Sequence, residues 1–301
     1  MSGFSAKLLQ GKVGIVTGAG SPYGIGRSLV LGLAAAGARA VYATDLMTKH
    51  IASLRDEVKK SGSSCEVREH VLDVTDEAQT IEVLKKIIAD YGRLDFYFAN
   101  AGVGLYKPLP ETDTSYYDKM INIMQRSFFL AIRYGGQAMS NICAEKPAPG
   151  GSIIVTSSMA GASGGVSDIS YSSAKAAVSG MAKPGAVQLS STNVRVNAIA
   201  PGFVRSSIVS SSAGFDTSRD DKPYEKKDAA SAFDRTMGRF ASEKHYYSRI
   251  LEPEEIANIG VFLASDLAAS INGENIMADS GRIAAGSNYN EPMPRMTPLQ
   301  P

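Results

Sequence analysis

The chain has 301 residues and is 44% apolar, enough for one large α/β domain or two small ones with a substantial core. Its 31 basic and 30 acidic residues leave a net charge of +1 with no basic run, which argues against a nucleic-acid partner. The longest apolar runs fall far short of a membrane span, residues 1–7 carry no signal-peptide core, and two cysteines make no disulfide framework, so a soluble, cytoplasmic protein is expected. His50, His70 and His245 are scattered without metal-ligand spacing, and no metal is expected.

The first element is a short apolar strand, Lys12 to Thr17. The loop Gly18-Ala19-Gly20-Ser21-Pro22-Tyr23-Gly24-Ile25-Gly26 follows, then a helical pattern through Leu29, Val30, Leu33 and Ala36 that stops at Gly37. Strand, glycine loop and helix make a phosphate cradle: bare backbone admits a pyrophosphate, and the helix N-terminus offers free N–H groups and a positive dipole end. The next strand, Ala40 to Thr44, ends at Asp45, nineteen residues beyond Gly26, with Leu46 next to it. A carboxylate there accepts hydrogen bonds from an adenosine ribose diol and repels a 2′-phosphate, which favours NAD over NADP; the alternative is an Asp that merely caps a helix over residues 48–60.

A strand from Glu66 to Leu72 leads to Asp73 and Val74, and Thr75 or Asp76 caps a helix over 77–90. Leu94 to Phe98 reads as a fourth strand, ending at the small residues Asn100-Ala101-Gly102. Residues 115–140 carry Met120, Ile121, Met124, Phe128 and Ile132 at helical spacing. Asn122 falls inside that helix, where its amide competes with backbone bonds; it has a special role or is simply exposed.

The fifth strand, around Ile153-Ile154-Val155, aims Ser158 into a cleft at its end. Thirteen residues after Ser158 comes Tyr171, and four after that Lys175, one helical turn apart on a shared face. A phenol is a poor acid or base at neutral pH, with an ordinary pKa of about 10. An ammonium one turn away favours the phenolate, and a tuned Tyr can move a proton to or from a substrate oxygen. The alternative is a Tyr–Lys pair on a solvated helix face. That helix runs to about Ser190 and should be kinked or interrupted at Pro184.

A sixth strand over Val194 to Ile199 ends at Pro201 and Gly202. Residues 206–250 have no strand-like run and read as a lid of short helices, whose Phe233, Met237, Phe240, Tyr246 and Tyr247 line a substrate pocket or anchor the lid. Pro253 opens another helix, Ile276 to Ala278 is a last strand, and the proline-rich tail 284–301 reads as irregular. Strand and helix alternate throughout, which predicts a single α/β domain over 1–283 with a doubly wound parallel sheet and helices on both faces. Ligands then bind at the carboxyl ends of the strands, where Gly18, Asp45, Asp73, Asn100, Ser158 and Pro201 all fall.

These motifs together resemble the short-chain dehydrogenase/reductase family of the NAD(P)-binding Rossmann superfamily, over roughly residues 9–283: Thr17-Gly18 with Gly24-Ile25-Gly26, Asp73-Val74, Asn100-Ala101-Gly102, Asn122, Ser158 with Tyr171 and Lys175, and Pro201-Gly202. The resemblance implies Tyr171 as catalytic acid/base, Ser158 as the group that polarises the substrate oxygen, and Lys175 as the partner of the nicotinamide ribose that lowers the Tyr171 pKa. It implies that Asn122 holds a proton-relaying water and that Asp73 and Val74 flank the adenine. It also implies that Asn100, Ala101 and Gly102 support the middle of the cofactor, that Val204 and Ser206 contact the carboxamide, and that the protein is a homotetramer or homodimer. Three departures stand out: Ser21-Pro22 lengthen the glycine loop by two residues, Asp279-Ser280-Gly281 replaces Asp-Gly-Gly, and the lid is long. The expected function is NAD-dependent oxidation of a secondary alcohol, bulky and apolar in the manner of a terpenoid, steroid or polyketide. The alternatives are an NADPH-dependent ketone reductase and a non-catalytic nucleotide-binding scaffold.

Overall fold

The computed structural model describes residues 7–104, 106–164, 166–208, 250–285 and 298. Most of the expected lid and most of the expected tail, including all five lid residues named above, lie outside the described residues. Seven strands form one sheet: β1 (Val13–Thr17), β2 (Ala40–Asp45), β3 (Glu66–Val71), β4 (Phe96–Ala99), β5 (Gly151–Thr156), β6 (Val194–Pro201) and β7 (Asn275–Ala278). Their order is β3-β2-β1-β4-β5-β6-β7, and every neighbouring pair is parallel. The order reverses between β1 and β4, the position at which a doubly wound sheet opens a crevice at its carboxyl edge.

The helices are α1 (Ile25–Ala35), α2 (Ile51–Lys60), α3 (Glu77–Tyr91), α4 (Thr114–Ile121), α5 (Ser127–Met139), α6 (Ile169–Gln188), α7 (Pro253–Ala264) and the short α8 (Arg282–Ala285). Parallel strands need both faces covered, and the strand residues alternate accordingly. Val16, Val41, Phe98 and Ile154 face α1, α2 and α7. Val13, Ile15, Tyr42, Tyr97, Ile153 and Val155 face α3, α5 and α6. The central strands β1, β4 and the middle of β5 are fully buried, whereas edge strand β3 exposes Glu66, Arg68 and Glu69.

Of the two candidate caps for α3, Asp76 is the one used: its carboxylate accepts from the Gln79 amide at 3.0 Å. Two expectations are modified. The single helix expected over 115–140 is two helices joined by a π turn, Asn122–Arg126, where the Ser127 amide reaches back to the Asn122 carbonyl. Pro184 does not interrupt α6. The carbonyl deprived of its partner by the missing proline N–H belongs to exposed Gly180, where water can replace the bond, while buried Val178, Ala182 and Ala186 hold both halves against the sheet.

Candidate active site

The carboxyl ends of β1 and β2 meet at the glycine loop. Asp45 does not cap α2: its two carboxylate oxygens accept from the Gly20 amide at 2.9 Å and the Met47 amide at 3.2 Å. Burial pushes the Asp45 carboxyl up, and the amides of Gly20, Met47 and Leu46 oppose that by favouring the ionised form. A side chain at Gly20 would lie 2.0 Å from the Met47 carbonyl oxygen, and one at Gly26 would lie 2.1 Å from that of Gly18. The loop is therefore bare backbone by steric necessity. No side chain caps the N-terminus of α1 at Gly24, so Ile25 and Gly26 open the helix facing the loop. This cradle fits a dinucleotide, with backbone for the pyrophosphate and a carboxylate for the ribose diol.

The lengthened loop is docked at Ser21 and Tyr23. The Ser21 hydroxyl shares a 2.8 Å hydrogen bond with that of Ser207. The Tyr23 carbonyl accepts from the Ser207 amide at 3.0 Å and from its hydroxyl at 2.6 Å. The Tyr23 phenol donates to Glu252, which also pairs with Arg205 at 2.9 Å. Val204 bridges Leu251, and Ser206 is buried beside them. One surface thus joins the glycine loop to the residues on either side of 209–249.

At the end of β4, Asn100 acts as a rivet. Its amide nitrogen donates to the Thr17 carbonyl at 3.1 Å, and its side-chain oxygen accepts from the Thr156 hydroxyl at 3.2 Å. The Thr17 hydroxyl accepts from the amides of Asn100 and Ala101, both at 3.0 Å. Gly102 packs on Met124, with which Tyr171 shares a small apolar cluster. At the end of β3, Asp73 accepts from the Thr75 amide and hydroxyl at 2.9 and 2.7 Å, and Val74 packs into the core. At the end of β6, Gly202 lies so close to Asp279 that a side chain there would meet its Cα at 2.8 Å, and the Gly202 amide bonds the Ala278 carbonyl. Ser280, in place of glycine, takes the left-handed φ of 57°.

Ser158, Tyr171 and Lys175 come together. Gly161 lets the turn Met159–Gly161 rest directly on the α6 backbone, since a side chain there would lie 2.6 Å from the Ala176 nitrogen. Ser158 thereby comes within hydrogen-bonding reach of the Tyr171 phenol. Neither Tyr171 nor Lys175 is on a solvated face: Lys175 is 2% exposed and Tyr171 is partly buried. The Lys175 ammonium donates to the Thr156 carbonyl at 2.6 Å and lies over the rings of Phe128 and Tyr171, at 4.6 and 5.8 Å from their centroids. Burial lowers its pKa to about 7. Burial also raises the Tyr171 phenol, opposed by the Ser158 hydrogen bond and reinforced by the Asp168 carboxylate. Asn122 opens the π turn, which lies against α6; its side-chain oxygen is 3.4 Å from an Arg126 nitrogen that donates to it.

Thr156 and Asp168 are structural partners of this site that the sequence pattern does not single out, and Thr17, of the Thr17-Gly18 motif, is a third partner. For Asp168 a signal exists, an N-cap residue immediately before the Tyr171 helix. Thr156 acts across strands, and nothing local marks it. A separate cleft of about 550 Å³ opens at the amino-terminal edge of the sheet. Two of its cations, Lys146 and Arg195, hold backbone carbonyls of Leu94, Met139, Leu263 and Ser265, and the third, Lys12, pairs with Asp266 at 2.6 Å, which identifies them as ties between segments rather than reacting groups.

A parallel sheet carrying a phosphate cradle and a Tyr–Lys pair, its lysine buried, at one edge defines a dinucleotide-binding oxidoreductase fold. The short chain dehydrogenase family model matches residues 12–215, and an enoyl-(acyl carrier protein) reductase model matches residues 223–282. The chain belongs to the short-chain dehydrogenase/reductase family. It is 32% identical over 275 residues to 3-oxoacyl-(acyl-carrier-protein) reductase FabG of Thermotoga maritima, covering 91% of this chain and 99% of that one. It is 31% identical over 279 residues to (+)-cis,trans-nepetalactol synthase NEPS2 of Nepeta racemosa, covering 91% of this chain and 94% of that one. Levodione reductase superposes with a TM-score of 0.75 at 28% identity, over 92% of this chain and 99% of that one. A protein assigned as an NAD(P)-dependent gluconate 5-dehydrogenase from Beutenbergia cavernae, with NADP at low occupancy, superposes at 0.72 with 28% identity over 92% of this chain and 98% of that one. Among the described residues, no helix is long and apolar enough to cross a membrane.

Proposed function

We propose that the protein is an NAD-dependent oxidoreductase that interconverts a secondary alcohol and its ketone. The observation that carries this reading is the Ser158–Tyr171–Lys175 group, its lysine buried, beside a glycine cradle that ends at Asp45. When bound, the nicotinamide supplies hydride chemistry. Asp45 holds the adenosine ribose, with Leu46, Asp73 and Val74 around the adenine. The 18–26 backbone holds the pyrophosphate, and Ala101, Gly102, Val204 and Ser206 bound the nicotinamide half. Ser158 orients the substrate oxygen and Tyr171 takes its proton during oxidation. Lys175 offsets the phenolate charge, and Asn122 opens a proton route toward solvent. The exposed apolar side chains Tyr106, Leu109, Ile169 and Ile208, on segments bordering Tyr171, support a bulky apolar substrate. Exposed Phe129 and Val187, on α5 and α6, support association with further copies of the chain.

The test compares NADH with NADPH in fluorescence titrations, then screens secondary alcohols with NAD. Tight NADH with weak NADPH is the expected result. Tyr171→Phe should lower turnover by a factor of about 100 to 10,000 while cofactor binding is kept; a near-wild-type rate overturns the mechanism. The second reading, ketone reduction with NADPH, is favoured by the reductase relatives and by the neighbour that holds NADP. Tighter NADPH binding would select it.

A further inference from the structure

Asp168 is 6% exposed and makes three hydrogen bonds with three separate pieces of chain. Oδ1 accepts from the Tyr171 amide at 2.8 Å and caps α6. Oδ2 accepts from the Lys107 amide at 2.9 Å and from the Tyr116 phenol at 3.2 Å. Lys107 belongs to the segment between β4 and α4, and Tyr116 to the first turn of α4. Along this segment, Val103 and Tyr116 pack on the cluster that includes Tyr171, Met120 and Met124. Gly104 packs against Ile208, where a side chain would meet the Ile208 carbonyl at 2.6 Å. The segment therefore walls the cleft in which Tyr171 stands. A capping Ser or Asn would complete the helix equally well. What a capping Ser lacks is the reach and the second acceptor to hold the wall.

We propose that Asp168 is a positioning residue that fastens the wall made by Val103, Gly104 and residues 106–116 beside the substrate cleft to the amino end of α6, so that substrate meets Tyr171 in one placement. This rests on the proposed oxidoreductase reading. The two wall donors are themselves in contact: the Lys107 ammonium lies 5.0 Å from the centre of the Tyr116 ring, and it also bonds Asp113 at 3.3 Å. The titratable and charged groups set against Asp168 and Tyr171, among the described residues, are Lys107, Asp113, Tyr116 and Lys175. The Asp168 charge also raises the Tyr171 phenol. Its removal is expected to shift the ionisation of Tyr171 downward.

The experiment uses Asp168→Ser, which keeps a capping oxygen but cannot reach the wall, and Tyr116→Phe, which removes one wall donor and keeps the charge. Amide exchange at Lys107, KM for alcohol and for NAD, and the pH profile of oxidation are measured on the full chain. In Asp168→Ser, the Lys107 amide is expected to exchange about tenfold faster, and KM for alcohol to rise about tenfold or more, with KM for NAD unchanged. The rising limb of the oxidation profile should move to lower pH. Tyr116→Phe should raise the alcohol KM more modestly and leave the limb in place. Unchanged exchange and alcohol KM in Asp168→Ser overturn the proposal. So does a lower melting temperature with equal losses for both substrates, which marks a cap and nothing more. Should the wild-type chain turn over no alcohol or ketone, the oxidoreductase reading fails, and the exchange measurement alone still decides the tether.

Discussion

The phenol of Tyr23, in the glycine loop, donates to the carboxylate of Glu252, the residue that caps α7. The two are 229 positions apart, and the bond fastens the lengthened loop to the strap formed by Val204 and Leu251. The insertion of Ser21 and Pro22 is thereby absorbed without disturbing Gly24 and Gly26, which still open α1.

Tyr23→Phe should therefore cost about 1 kcal/mol of stability, the net worth of one such hydrogen bond, because Glu252 keeps Arg205 as a partner. That corresponds to a fall of roughly 1–2 °C in melting temperature for a chain of this size. The affinity for NADH should fall with it, since the loop loses a fixed point. An unchanged melting curve with unchanged affinity would show that the bond does not hold the loop.

Asp45→Asn keeps one acceptor for the loop amides and removes the charge. The ratio of NADH to NADPH affinity should shift toward NADPH by about tenfold or more, roughly 1.4 kcal/mol, because the repulsion of a 2′-phosphate is gone. Equilibrium titration of both cofactors reads this directly. An unshifted ratio would remove the charge of Asp45 from the account of cofactor choice.

Lys175 carries a pH signature. Its folded pKa, near 7, lies below its ordinary value of 10.5 because burial disfavours the ammonium. Between those values the unfolded chain binds the extra proton, so stability rises with pH across that window, and the penalty is fully present below it. Lys146, also lowered by burial, contributes in the same direction. Melting temperatures recorded from pH 7 to pH 10 should climb less steeply in Lys175→Met than in the wild type. Parallel slopes would mean that Lys175 is not desolvated as the structure places it.

Gly161→Ala would put a methyl 2.6 Å from the Ala176 nitrogen and from the Lys175 carbonyl carbon. Neither atom can yield without shifting α6, so the turn bearing Ser158 must lift away. The expected cost is about 1–3 kcal/mol of stability. Turnover should fall about 100-fold, because Ser158 no longer meets Tyr171 in register. Wild-type turnover in this variant would separate Ser158 from the chemistry.

Much of the fold is legible in local pattern. The strands β1, β2, β5 and β6 are short apolar runs with turn signals at their ends, and α1, α2 and α3 show clear amphipathic spacing. The exceptions are where one residue changes the hydrogen-bond register, as at Asn122, or where packing overrides a local rule, as at Pro184. Within the site, the glycine cradle, Asp45 and the Ser158, Tyr171 and Lys175 group were all legible. The partners that fix them were not. The Thr156 carbonyl that holds Lys175, and the Lys107 amide and Tyr116 phenol that hold Asp168, lie 19, 61 and 52 positions from their partners.

The sequence by itself determined what depends on near neighbours: where the chain extends or coils, where bare backbone is needed, and that Tyr171 and Lys175 share a helix face. Tertiary structure alone decided the electrostatics. The spacing of Tyr171 and Lys175 predicts a phenol lowered by a nearby ammonium, yet burial raises the phenol, and the ammonium turns to the Thr156 carbonyl and the face of Phe128. Charge depends on desolvation and on groups brought together by the sheet, and neither is written in the distance between two residues along a helix.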